Sequence, residues 1–81
     1  MLYEKHETRI RALLEHLSAK GAQRHGELMR VWMQHNGTLG SFNNAMNWLK
    51  RKGYVKKKDV ENISPYEITE NGKKYLEGLR A

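Results

Sequence analysis

The chain has no cysteine and a single proline among its 81 residues. Without cysteine, neither a disulfide nor a thiolate zinc site can staple the fold. No apolar run approaches the ~18–20 residues of a membrane span, and the opening "MLYEKHETRI" lacks the apolar core of a signal peptide. Both absences lead us to expect a soluble, cytoplasmic protein. There is no Gly-rich phosphate loop, and no basic partner is evident for Ser18, Ser41 or Ser64, so catalysis is not expected. Nor is a metal or cofactor. No two of His6, His16, His25 and His35 stand three to five residues apart, and "HETRI" lacks the second histidine of H-E-x-x-H.

Acidic residues are also scarce. Lys and Arg outnumber Asp and Glu by 15 to 9, giving a formal charge of +6 and a pI near 9.8. That balance suits a polyanionic partner: DNA, RNA or anionic lipid. A chain of this length forms one domain (1–81) with a small core, so its modest apolar content has to be placed at regular spacing to fold at all.

The spacing is there. Ile10, Leu13, Leu14 and Leu17 fall at i, i+3, i+4, i+7 and predict a helix over 4–20, stopped by Gly21. After the connector "AQRH", Leu28, Val31 and Trp32 form the apolar face of a helix over 26–35. Asn36-Gly37 breaks it, and Thr38 or Ser41 can cap a third helix over 41–52, which Gly53 ends. "YVKKK" and "PYEIT" read as the strands of a hairpin over 54–69 around "DVENIS", with Pro65 at a strand start or edge. Thr69 can cap a last helix over 70–80, with Tyr75, Leu76 and Leu79 inward. The expected class is α+β, mostly α.

The third helix is the distinctive one. In "GSFNNAMNWLKRKGYV" the polar positions are Asn, Lys and Arg, with no acid. At about 100° per residue, Phe42, Ala45, Met46 and Leu49 share one side; Asn43, Asn47, Lys50 and Arg51 share the other, with Asn44 at its margin and Trp48 beside the apolar face.

Three helices and a β-hairpin resemble the winged helix-turn-helix fold, and the ending resembles the PadR and MarR groups of prokaryotic transcription regulators. There the third helix closes with a leucine, basic residues, a glycine and an apolar pair. "WLKRKGYV" has Leu49, Gly53, Tyr54 and Val55 in those places. The second wing strand runs into Y-x-(L/I)-T-x-x-G, matched by Tyr66, Ile68, Thr69 and Gly72, and "GELMRVW" is similar to the second helix.

The resemblance implies a regulator that binds double-stranded DNA, with the third helix as recognition helix in the major groove. Asn43, Asn44 and Asn47 suit adenine edges, and Lys50 and Arg51 suit guanine edges or phosphates. Thr38 and Ser41 would meet phosphate near the helix start. Lys56 and Lys58, on one face of their strand, would grip the backbone, with Arg24, His25 and Arg30 as weaker candidates. The acidic wing tip, Asp59, Glu61 and Asn62, departs from the basic tips of the family, so the strands rather than the tip should touch DNA. A homodimer is expected through Leu2, Tyr3, Tyr75 and Leu79, to supply a second half-site. Two alternatives stand beside this reading: a winged helix that docks on protein in a transcription or replication assembly, using Trp48 or the first three residues as an apolar anchor, and RNA binding through the same basic face.

Overall fold

The stripe Ile10, Leu13, Leu14, Leu17 lies on α1 (Glu4–Lys20), and all four side chains are buried. This computed structural model of the chain describes residues 4–58 and 65–80. Gly21, with φ +82, ends α1, its N–H reaching the Leu17 carbonyl at 2.9 Å.

α2 (His25–Gln34) lies one residue earlier than the expected 26–35. Arg24 is extended and its carbonyl accepts from the Glu27 and Leu28 N–H groups, so the helix starts at His25. At the other end His35 has left helical geometry, and Asn36 takes the left-handed φ of 66° that asparagine tolerates.

α3 (Leu39–Lys52) begins two residues before the expected position 41. Thr38 and Ser41 do not compete for the cap; they share it. Thr38 is the N-cap, its hydroxyl accepting from the Ser41 N–H at 3.2 Å, while the Ser41 hydroxyl accepts from the Thr38 N–H at 3.1 Å. This reciprocal pair is a capping box with serine in the third position. At the far end Gly53 has φ +77; its N–H reaches the Lys50 carbonyl and the Tyr54 N–H reaches the Leu49 carbonyl, the Schellman arrangement.

β1 (Val55–Lys57) pairs antiparallel with β2 (Tyr66–Ile68), in the register Val55–Ile68, Lys56–Glu67, Lys57–Tyr66. The ladder is shorter than the expected 54–69, and the tip residues Asp59, Glu61 and Asn62 lie outside the described residues. Tyr66 has a second partner on its other side: it exchanges both backbone hydrogen bonds with Gln23, at 2.8 and 2.9 Å. The connector read as "AQRH" thus ties the hairpin to the α1–α2 junction.

α4 (Glu70–Arg80) is preceded by Thr69, whose hydroxyl accepts from the Gly72 N–H at 3.0 Å and donates to the Gly53 carbonyl at 2.5 Å. A Cβ on Gly72 would strike the Tyr54 carbonyl oxygen and the Ile68 side chain. The Tyr66-x-Ile68-Thr69-x-x-Gly72 pattern therefore has a physical basis: it seats the start of α4 on the end of α3. Four helices and a two-stranded antiparallel hairpin make the α+β, mostly helical class.

One core joins the elements: Leu28, Val31 and Trp32 of α2, Phe42, Ala45, Met46 and Leu49 of α3, Val55, Tyr66 and Leu76 surround the α1 stripe. Each fully buried leucine contributes about 1.5–3 kcal/mol. Among the described residues no helix is long and apolar enough to cross a membrane.

Candidate nucleic-acid interface

With its Phe42–Leu49 side in the core, α3 turns Asn43, Asn44, Asn47, Lys50 and Arg51 outward, and all five are exposed. None of their side chains forms a hydrogen bond or ion pair with another described residue. Lys50 is the most constrained, its ammonium lying 5.7 Å from the centre of the Tyr66 ring. Lys50, Arg51 and Lys52 occupy the last turn, where the helix dipole favours positive charge.

A device at the other end fixes where α3 starts. Trp32, fully buried, donates its indole N–H to the Ser41 hydroxyl at 2.9 Å. Arg9 of α1 donates to the His35 and Asn36 carbonyls at 2.7 and 3.0 Å, with its guanidinium 5.9 Å from the centre of the Trp32 ring. These interactions hold the α2–α3 turn to α1. They also engage the Ser41 hydroxyl within the chain, since it donates to the Thr38 carbonyl as well. Thr38 stands at the same end, exposed.

On the hairpin, Val55, Lys57, Tyr66 and Ile68 share the face toward the core, leaving Lys56, Lys58 and Glu67 on the outer one. Lys56 lies 3.9 Å from Glu67, a loose surface pair worth at most about 1 kcal/mol. Lys58 is exposed. Of the weaker candidates, Arg24 is the exposed N-cap of α2, and His25 stands edge-on to Phe42 with ring centres 5.0 Å apart, beside α3. Arg30 pairs with Glu27 at 3.5 Å.

Trp48 joins an aromatic trio. Tyr54 and Tyr75 stack nearly parallel at 4.5 Å, and Trp48 meets both edge-on at 5.7 and 5.8 Å. Burial first, then the neighbouring Tyr54 and Glu7, raises the pKa of the Tyr75 phenol above its usual 10.0. Of the expected dimer surface, Tyr75 and Leu79 are half-buried on α4, Leu79 in a groove with Thr8, Ala12 and His35; Leu2 and Tyr3 lie outside the described residues. Among the described residues no three His, Asp or Glu side chains come together as a metal site would need.

One signal legible by counting extends the acid-free stretch well beyond α3. From Leu28 to Lys58 the chain has Arg30, Lys50, Arg51, Lys52, Lys56, Lys57 and Lys58 and no acid; all nine acidic residues lie outside that span. The Trp32–Ser41 and Arg9 hydrogen bonds had no such signal, because they join residues with no shared periodicity.

Comparison of the chain with protein-family models, with curated proteins and with solved structures finds no match in any of the three.

Proposed function

We propose that this chain is a winged-helix protein that binds double-stranded DNA and acts as a transcription regulator in a prokaryotic cytoplasm. α3 enters the major groove with Asn43, Asn44, Asn47, Lys50 and Arg51 toward base edges and adjacent phosphates. Thr38 meets phosphate at the start of α3, while Lys56 and Lys58 hold the backbone beside the groove. The observation that carries this reading is the exposed arc of α3, furnished with amide and cationic groups, devoid of acid and without polar partners among the described residues. Asparagine supports it further, since it is a poor helix former in mid-helix and is costly at Asn47 unless it does something there. A homodimer through the α4 face of Tyr75 and Leu79 provides two half-sites, as a single small domain touches too little DNA for tight, specific binding.

The test is a set of salt titrations with duplex DNA, single strands and unrelated RNA, combined with selection of a preferred duplex from a random pool. The expected result is a duplex bound well above random sequence, with log K falling linearly in log salt. Equal affinity for RNA and duplex would favour the RNA reading; weak, unselective binding to both would favour protein docking. Sedimentation of the free and bound protein reads the assembly, and a 9.5 kDa monomer in both states would remove the dimer.

A further inference from the structure

Two large apolar side chains stand out as exposed among the described residues, Met33 and Leu39, and Leu39 does so at the head of α3. It is the first residue of that helix and 51 % exposed, although the core lies one helical face away. Leu39, Asn43 and Asn47 follow one another at i, i+4 and i+8, so the leucine heads the same stripe that carries two of the outward asparagines. Gly40 lies beside it. A Cβ at Gly40 would meet nothing within 4 Å among the described residues, its φ is not in the left-handed region, and glycine is, after proline, the residue least suited to a helix. Among the described residues neither packing nor a left-handed backbone accounts for a bare position in the first turn of α3.

We infer that Leu39 and Gly40 form a specificity element that selects thymine: Leu39 packs on the 5-methyl group of a thymine in the major groove, and Gly40 lets the first turn of α3 approach the base edges closely. This rests on the DNA-binding reading above. The chemistry follows from what the major groove displays. The thymine methyl is its one apolar feature, and an aliphatic side chain beside amide groups that suit adenine is matched to an A·T-containing step. Glycine at the point of closest approach removes the side chain that would hold the helix backbone away.

The experiment replaces thymine by deoxyuridine, which lacks only the 5-methyl group, one position at a time in a duplex selected by the protein. One position in each half-site should lose about three- to fivefold in affinity, the worth of one buried methyl group. Leu39→Ala should bind the selected duplex more weakly and no longer distinguish thymine from deoxyuridine at that position. Its helical circular dichroism should be unchanged, because the side chain is half-exposed. Gly40→Ala should keep or raise the thermal midpoint while lowering duplex affinity about tenfold, the signature of overpacking against DNA and not within the fold. A selected duplex that is indifferent to every deoxyuridine, or a Leu39→Ala protein that keeps the full discrimination, overturns the assignment and leaves DNA binding intact. Undiminished affinity of Gly40→Ala overturns the close approach. Failure to prefer any duplex over random DNA removes the DNA reading itself, and this assignment with it.

Discussion

α1, α2 and α4 carry acids and bases side by side; α3 carries bases alone. On α1, Arg11 faces Glu15 at 3.5 Å; on α2, Glu27 faces Arg30; on α4, Lys73 faces Glu70 at 3.7 Å. Such pairs on exposed helices are worth roughly 0.2–0.5 kcal/mol each, but together they neutralise a surface. The last turn of α3 instead sets Lys50, Arg51 and Lys52 next to one another, with the helix dipole as their compensation. The helices α1, α2 and α4 thus balance part of their charge within the chain, whereas the outward side of α3 carries positive charge alone.

The most direct challenge to this contrast is to make α3 resemble α1. Lys50→Glu with Arg51→Glu should cut duplex affinity roughly a hundredfold or more near 0.1 M salt, with circular dichroism unchanged because both side chains are exposed. The same reversal on α4, Lys73→Glu with Lys74→Glu, should change affinity little. Equal losses from both pairs would mean that net charge matters and the face does not.

Gly72→Ala tests whether the two sides depend on each other for position. The new methyl group meets the Tyr54 carbonyl, which cannot give way as a side chain could, so unfolding in urea should show a loss of about 1–3 kcal/mol. Asn47→Ala probes within α3 itself: about 1–3 kcal/mol lost at the preferred duplex and almost none on random DNA, measured by competition binding. Lys56→Ala with Lys58→Ala should weaken selected and random duplexes alike and lower the salt slope by up to about 0.9 for each phosphate no longer neutralised. Since Glu67 already faces Lys56, Lys58 should account for more of that change.

The smallest effect lies at the aromatic trio. The raised pKa of Tyr75 means that the folded state holds the phenol proton more tightly than the unfolded chain. Its contribution to stability is therefore complete below about pH 10 and declines as pH rises from there through the folded-state value. Tyr75→Phe should flatten that alkaline decline in a series of denaturation curves. An unchanged decline would assign it to other groups.

Much of the architecture was legible because it is periodic. Ile10, Leu13, Leu14 and Leu17 announce α1 and its bounds, and Gly21 and Gly53 end their helices as glycine does at a left-handed position. The start of α3 was less legible: Thr38 and Ser41 both have the chemistry of a cap, and only their reciprocal bonding shows that the helix begins at Leu39. The Gln23–Tyr66 bridge and the hold of Arg9 on the α2–α3 turn join residues more than twenty positions apart, with no repeat to betray them. The candidate face was legible as a helical stripe from Asn43 to Arg51. What spacing could not tell is which of its polar groups the fold engages, and that Ser41 spends its hydroxyl inside the chain while Asn43 and Asn47 keep their amides outside.

The two tryptophans give the chain a pair of optically distinct emitters. Trp32 is sealed in the core with its N–H on Ser41, whereas Trp48 stands half-open beside Tyr54 and Tyr75. Dissolved iodide, a charged quencher that does not enter apolar interiors, should dim the longer-wavelength light of Trp48 and spare that of Trp32. Light absorbed by the two tyrosines, 5.7 and 5.8 Å from Trp48, should reach it by energy transfer. Loss of that sensitised emission would report separation of the α3 end from α4, even while the inner indole still glows as in the native fold.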